Sequence, residues 1–170
     1  MLVGLESFKN DELAGFVKQT SSKINQQALK VLNKYKVECF AAVITSPSWD
    51  TNDFNEVGKI LEDLNIKYIN LQPLTPLKGT GLEIDEGALI IERSDYARWD
   101  LAHVVIRPTK ISVKDYYRNI IRLYTRIIVK PRHLIGYIKY SPAMQLKMIK
   151  GIIKIYRQYK KRITVVKEYA

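Results

Sequence analysis

Residues 37–80 read VECFAAVITSPSWDTNDFNEVGKILEDLNIKYINLQPLTPLKGT, and this stretch decides the fold. Val37–Thr45 is a run of β-branched and apolar residues that predicts a buried strand. A segment with apolar residues at helical spacing begins near Thr51 and predicts a helix. Ile66–Leu71 predicts the next strand, which enters a loop punctuated by proline and glycine over Gln72–Thr80. Strand, helix and strand in this order predict a right-handed crossover between parallel strands.

The residues before this stretch repeat the same pattern. Leu2–Leu5 is a short apolar run that predicts a strand, and Glu6 and Ser7 follow at its end. Residues 22–36 carry apolar side chains at helical spacing and predict an amphipathic helix. Units of roughly 30 residues that alternate strand and helix are typical of parallel α/β folds. We predict an α/β fold that forms half of a TIM-like parallel barrel, followed by a basic α-helical C-terminal extension.

The charge of the chain is divided unevenly. Residues 1–106 carry 11 Lys/Arg and 15 Asp/Glu, a net charge of −4, whereas residues 107–170 carry 17 Lys/Arg and 2 Asp/Glu, a net charge of +15. This asymmetry indicates an acidic partner for the second part, such as nucleic acid, anionic lipid or an acidic protein surface. No run reaches the roughly 18–20 apolar residues that span a bilayer, and no signal peptide is recognisable. We therefore expect a cytoplasmic location, with peripheral membrane association as an option.

Three regions are expected along the chain. Residues 1–82 form the half-barrel, residues 83–111 form a segment of strands and loops, and residues 112–170 form the helical extension. Within the second region, Ala88–Glu92 and Ala102–Ile106 are apolar enough to predict two short strands.

The last helix is predicted to begin at Pro142 and to carry two stripes of side chains. Such a helix can dock on an anionic membrane or an acidic partner, or it can pack its apolar side on the domain and leave a solvated charged side. The apolar stripe consists of Met148, Ile149, Ile152, Ile153, Tyr156 and Tyr159. The basic stripe consists of Lys147, Lys150, Lys154, Arg157 and Lys161.

Polar side chains follow each of the three predicted strands. Glu6 and Ser7 follow the first strand, Thr45 and Ser46 the second, and Gln72 the third. In parallel barrels, functional groups gather at the C-terminal ends of the strands. These side chains could hydrogen-bond the hydroxyls and base of an adenosine-type ligand, although polar residues also end most strands by default.

Four segments resemble radical S-adenosylmethionine (radical SAM) enzymes, in the family's order and spacing over residues 1 to about 130. Gly4–Leu13 is similar to the family's fourth strand and the acidic turn after it. Phe40–Pro47 is similar to its fifth strand and loop. Gln72–Thr80 resembles its sixth-strand P-L-T-P-L-P-G-T signature, with Lys78 in place of the usual proline. Trp99–Ser112 is similar to the segment after the barrel in the cobalamin-dependent and lipid-modifying members.

The resemblance implies a role for three residues. Glu6 and Ser7 match the strand end that contacts the ribose and amino-acid portions of S-adenosylmethionine, and Gln72 matches the strand end that faces the adenine. In the family, three cysteines spaced C-x3-C-x2-C hold a four-iron cluster, and the cofactor carries the radical chemistry. This chain has only Cys39, which we expect to be a core thiol.

We therefore interpret the chain as the C-terminal portion of a radical SAM enzyme, without the cluster and inactive alone. A half-barrel leaves strand edges unpaired, so we expect them to be covered by the missing N-terminal half-barrel, by a second copy or by the chain's own C-terminal helices. The alternative is a non-catalytic binding module that docks an anionic membrane or an acidic partner through its basic helices. Another TIM-barrel enzyme with a phosphate-binding loop at Gly79 is a weaker possibility.

The two histidines carry further hypotheses. Asp100 and His103 could form an acid–base pair that faces the substrate, or His103 could have a structural role. Neither His103 nor His133, which we place on the surface, has a partner at metal-ligand spacing, so no metal site is predicted. The basic helices contain no motif that reads nucleic acid, and nucleic-acid binding is not favoured.

Overall fold

The computed structural model describes residues 1–16, 18–130 and 135–165. The predictions for His133 and for the last five residues of the extension lie outside the described residues. The strands are β1 (Leu2–Glu6), β2 (Phe40–Thr45) and β3 (Tyr68–Pro73). The helices are α1 (Asn10–Gly15), α2 (Ser22–Lys34), α3 (Thr51–Asp63), α4 (Val113–Ile128) and α5 (Pro142–Val165).

The three strands form one open parallel sheet in the order β1, β2, β3. The predicted alternation of strands and helices is confirmed, and three of the helices begin at a side-chain cap. Ser21 accepts a hydrogen bond at the start of α2, Asp50 forms a capping box with Asp53 at the start of α3, and Ser112 caps α4. The mixed α/β class is therefore determined by local signals.

One face of the sheet is packed and the other remains partly exposed. Alternate strand residues (Leu5, Ala41, Val43, Ile69 and Leu71) join the main core with side chains from α2, α3, α4 and α5. Period-two alternation sends the intervening side chains to the opposite side. We call this opposite side the open face, and it carries Gly4, Glu6, Ala42, Ile44, Asn70 and Gln72.

Helix α4 closes the outer edge of β3. The Leu71 N–H, which points away from β2, donates to the hydroxyl oxygen of Tyr124 at 2.9 Å, and that hydroxyl donates to the Leu71 carbonyl at 3.4 Å. The hydroxyl of Tyr116 donates to the Thr45 carbonyl at 2.7 Å, at the end of β2. The centre of the β3 edge is thus satisfied by a side chain and is not free to pair with another strand.

Helices α3 and α4 approach closely at Gly58. A Cβ at this position would lie 2.7 Å from Nη1 of Arg126, so only glycine leaves room for the guanidinium. Arg126 donates to the Asn55 carbonyl at 3.1 Å and reaches the carboxylate of Glu62 at 2.5 Å. Lys130 lies 3.1 Å from the other oxygen of Glu62, so two cations from the end of α4 hold one carboxylate of α3.

The Glu62 ion pairs predict a loss of stability in acid. The hydrogen bond from Arg126 holds the pKa of Glu62 below its ordinary value of 4.5. Because the folded-state pKa is the lower one, this stabilisation is present above about pH 4.5 and is lost as the pH falls through the folded-state pKa. We expect Glu62→Gln to lower the free energy of unfolding at neutral pH by about 0.2–1 kcal/mol. Urea denaturation of the wild type and the variant, at neutral pH and at about pH 3, measures this difference in unfolding free energy.

Glu56→Gln, an exposed change on the same helix, should leave the unfolding free energy at both pH values unaltered. If Glu62→Gln matches the wild type at neutral pH, the Arg126 and Lys130 contacts contribute nothing to stability.

The segment between β3 and α4 differs from its prediction. The two short strands expected at 88–92 and 102–106 are wrong, because their pairing is limited to one antiparallel bridge between Leu89 and Ile106. Two backbone hydrogen bonds flank it, from Ile90 to Val105 at 2.9 Å and from Arg107 to Ala88 at 2.8 Å. Glu86–Ala88 and Tyr96–Arg98 are 3-10 turns. The apolar side chains of this segment pack in a small separate core of Ile91, Val105 and Ile106.

Candidate functional site

The C-terminal ends of the three strands meet at one edge of the sheet. Glu6 ends β1, and its carboxylate lies over Gly4 on the open face. Gln72 of β3 lies on the same face, in register with Ile44 of β2. Two strand spacings separate Glu6 from Gln72, which is about 10 Å. The sequence placed both residues at strand ends, and the sheet brings them to one surface.

The backbone at Glu6 is unusual in two ways. The register of β1 against β2 shifts between Gly4 and Glu6, and Glu6 has a φ of 60°, which a residue other than glycine rarely adopts. The bulge turns the Glu6 side chain back over Gly4, where a Cβ would lie only 2.8 Å from Oε1 of Glu6. Bulges and positive φ values occur often beside binding sites because they redirect a side chain.

A cleft of about 250 Å³ opens beside Glu6. The ammonium of Lys18 lies 3.1 Å from Oε1 of Glu6, so the cleft presents one anionic and one cationic group side by side. Its walls are mixed polar and apolar side chains: Phe16, Ile44, Leu74, Thr75, Thr80 and Leu82. Sequence reasoning missed Lys18, since twelve positions separate it from Glu6 and no motif connects them.

Ser7 lies apart from this cleft. Its side chain is fully buried, donates a hydrogen bond to the carboxylate of Glu12 and accepts one from the Lys9 N–H at 3.0 Å. The other oxygen of Glu12 accepts the indole N–H of Trp49 at 2.6 Å. Ser7 therefore belongs to a buried network that joins β1, α1 and the loop after β2. Of the three residues predicted to contact the cofactor, Glu6 and Gln72 share the open face.

Asp100 and His103 form the contact that their spacing suggested. The Asp100 carboxylate accepts the His103 backbone N–H and contacts Nδ1 of its ring, both at 2.9 Å. Partial burial raises the pKa of Asp100, but the hydrogen bonds from His103 and Ala102 outweigh burial and hold that pKa below its ordinary value. Arg162 of α5 lies 3.2 Å from the second Asp100 oxygen, so the carboxylate connects this segment to the last helix.

Sequence reasoning did not find Arg162. Its guanidinium packs 5.1 Å from the ring centre of Tyr159, and its Nη1 atom is buried with no hydrogen-bond partner among the described residues. Sixty-two positions separate Arg162 from Asp100, and only the packing of α5 brings them together.

A cleft of about 680 Å³ lies at the opposite, N-terminal end of the strands. Glu38 is its centre and is held by Lys67 at 3.3 Å and by Lys139 and Tyr140 at 3.0 and 3.1 Å. The hydrogen bond from Lys139 holds the pKa of Glu38 below its ordinary value. We place the candidate site at the C-terminal end of the strands, because parallel folds gather functional groups there.

Cys39 is 6% exposed, and burial raises the pKa of its thiol, so the predicted core thiol is confirmed. Among the described residues, no three His, Cys, Asp or Glu side chains converge as metal ligands. An iron–sulfur cluster needs several thiolates, so the residues of this chain do not fit one. Across residues 1–16, 18–130 and 135–165, no helix has the length and apolar character needed to cross a bilayer.

A scan against protein-family models gave no match, and searches of curated proteins and of solved structures gave none either.

Proposed function

We propose that this chain is the C-terminal portion of a radical S-adenosylmethionine enzyme and supplies part of the wall that holds the cofactor. The observation that carries the proposal is the backbone at Glu6, where a bulge and a positive φ direct a carboxylate onto the open face. Its side chain shares that face with Gln72, at the strand ends where the motifs implied cofactor contacts.

The available groups suit an adenosylated amino acid. A carboxylate such as Glu6 accepts hydrogen bonds from ribose hydroxyls or from an ammonium group, and the Gln72 amide offers both a donor and an acceptor to a base edge. Lys18, now paired with Glu6 at 3.1 Å, could pair with a ligand carboxylate instead. Lys18 is thus an addition to the residues that the resemblance implied.

The unequal edges of the sheet support a partner beside β1. Tyr124 satisfies the β3 edge, whereas the backbone groups of Leu2 and Gly4 on the outer side of β1 meet no donor or acceptor from the described residues. In the proposed enzyme a parallel strand of the N-terminal half-barrel pairs there and completes a TIM-like barrel. That half also carries the cysteines for the cluster, so this chain alone is catalytically silent.

Isothermal titration of the chain with S-adenosylmethionine tests the proposal. We expect weak binding that Glu6→Gln reduces by about tenfold or more, since a hydrogen bond to a charged group contributes about 1.5–3 kcal/mol. Gly4→Ala should have a similar effect on affinity, because its new Cβ would displace the Glu6 carboxylate while leaving the fold intact.

Glu56→Gln on α3 is the matched control and should bind as the wild type does. Titration with methionine, which lacks the adenosine, should give no measurable binding. Equal affinity of the wild type and Glu6→Gln for S-adenosylmethionine would contradict the proposed site.

The second candidate function is a non-catalytic module that docks on an acidic surface through its basic helices. The exposure of the whole basic stripe on α5 favours it. A chain with this function alone would bind no adenosylated ligand, and the Glu6→Gln change would have no effect on docking.

A further inference from the structure

Helix α5 has three faces, which the sequence alone did not separate. Met148, Ile152 and Tyr159 turn inward, and the ring of Tyr159 lies 5.9 Å from that of Tyr124 on α4. The remaining members of the predicted apolar stripe point outward, where Leu146 joins them. We call the outward residues the outer stripe: Leu146, Ile149, Ile153 and Tyr156, with exposed fractions of 53, 53, 43 and 47%.

The outer stripe lies on one side of the helix because its members are spaced three, four and three residues apart. All five residues of the basic stripe are exposed, and they occupy the adjacent side. None of the five forms an ion pair with another described residue. Residues 142–165 contain no Asp or Glu, so nothing along the helix offsets the positive charge.

An apolar cleft of about 420 Å³ continues from the outer stripe into the protein. Ile153 and Tyr156 belong to both surfaces, and Ile121 and Ile128 of α4 line the far wall. Arg157 and Lys160 also line this cleft, and the ammonium of Lys160 lies 5.8 Å from the ring centre of Tyr156. The cleft thus combines an apolar interior with cationic groups, which suits an acyl chain whose head group is acidic.

We propose that α5 docks on an anionic phospholipid bilayer. The outer stripe enters the boundary between head groups and acyl chains, the basic stripe contacts the acidic head groups, and one acyl chain enters the cleft between α4 and α5. An amphipathic helix with a basic face beside an apolar face has the composition of a surface-lying membrane helix. Tyrosine suits this depth because its ring is apolar and its hydroxyl is polar.

The charge and the apolar surface of α5 favour a bilayer over two other occupants, a second copy of the chain and a nucleic acid. A second copy of the chain seated on the outer stripe would bring two basic stripes together, and like charges in contact disfavour such a pairing. A nucleic acid would pair with the basic stripe but would leave the apolar outer stripe in water. An anionic bilayer satisfies both stripes at once. This inference does not depend on the proposed cofactor contacts.

Cosedimentation with vesicles tests the proposal, using phosphatidylcholine mixed with phosphatidylglycerol and phosphatidylcholine alone. We expect binding to the mixed vesicles only, weakened by added salt because salt screens exposed charges. The double change Lys150→Gln and Lys154→Gln should lower the partition coefficient about tenfold or more. Ile149→Gln with Ile153→Gln should lower it by a similar factor.

Matched controls lie on α2, which also exposes a lysine pair and an isoleucine. Lys23→Gln with Lys30→Gln removes the same charge, and Ile24→Gln removes an isoleucine that is 55% exposed, so neither should change vesicle binding. These variants also separate docking by α5 from a general effect of net charge.

Fluorescence quenching measures how deeply the outer stripe of α5 enters the bilayer. In Tyr156→Trp, with brominated lipid in the mixed vesicles, we expect quenching that Ile153→Gln diminishes. Equal binding to both vesicle types, no binding to either, or loss of binding in the α2 controls would overturn the proposal. So would a dimer in light scattering that Ile149→Gln dissolves, because a second copy would then cover the outer stripe.

Discussion

Trp49→Ala is expected to lower the free energy of unfolding by about 3–5 kcal/mol, the cost of emptying a fully buried aromatic site. Trp49 is 0% exposed, and its ring packs edge to face on Phe54 of α3 at 5.1 Å between ring centres. Its indole N–H donates to Glu12 at 2.6 Å, so the substitution also removes a partner from a carboxylate that Ser7 contacts. The loss should be visible in urea denaturation monitored by far-UV circular dichroism.

Two further variants separate the contribution of the Trp49 hydrogen bond from that of its buried ring. Trp49→Phe keeps an aromatic ring and removes the N–H donor, and it should cost about 1.5–3 kcal/mol because the hydrogen bond is made to a charged group. Tyr96→Ala removes an aromatic ring that is 85% exposed and should change the free energy of unfolding by less than about 0.5 kcal/mol. Equal stabilities for Trp49→Ala and Tyr96→Ala would contradict the packing of the loop after β2.

Tyr124→Phe is expected to lower the free energy of unfolding by about 1–3 kcal/mol although it deletes a single oxygen atom. The reason is that the Leu71 N–H, held at 2.9 Å by the Tyr124 hydroxyl, would remain buried without an acceptor. Loss of this contact also exposes the edge of β3 to other strands, so we expect the variant to aggregate faster on heating. Denaturation and light scattering measure the two effects separately.

Tyr35→Phe is the control for this prediction, since Tyr35 is 70% exposed and should tolerate the loss of its hydroxyl. A Tyr124→Phe protein that is as stable as the wild type and aggregates no faster on heating would mean that α4 does not close the edge of β3. Faster aggregation with unchanged stability would still support the role of the hydroxyl in protecting that edge.

The local elements could be predicted because their signals lie within a few residues of one another. Ser21 and Ser112 mark the starts of α2 and α4 by their capping hydrogen bonds, and the run at 40–45, which ends in three β-branched residues, forms the central strand. The strands expected at 88–92 and 102–106 were wrong because strand pairing depends on a partner. Only Leu89 and Ile106 find one there, and the remaining apolar side chains pack in a small core.

The candidate site could be predicted only in part, because local sequence shows where strands end and does not show which side chains meet. Glu6 and Gln72 stand at strand ends, which the sequence shows. Their placement on one face required the bulge that turns Glu6 over Gly4 and the register of β3 against β2. Ser7 stands next to Glu6 in the chain and yet belongs to a buried network with Glu12. Lys18 and Arg162 carry no motif and enter their clusters only through tertiary contacts.

By itself, the sequence determined the alternation of strands and helices and the concentration of positive charge in the last third of the chain. Those properties follow from residues that are neighbours along the chain or along one helix. Tertiary structure alone decided which residues of the α5 apolar stripe turn inward, which edge of the sheet is closed, and where the Glu6 carboxylate points. Each of these depends on contacts between residues far apart in the chain, where packing and hydrogen bonding select one arrangement among several that local patterns permit.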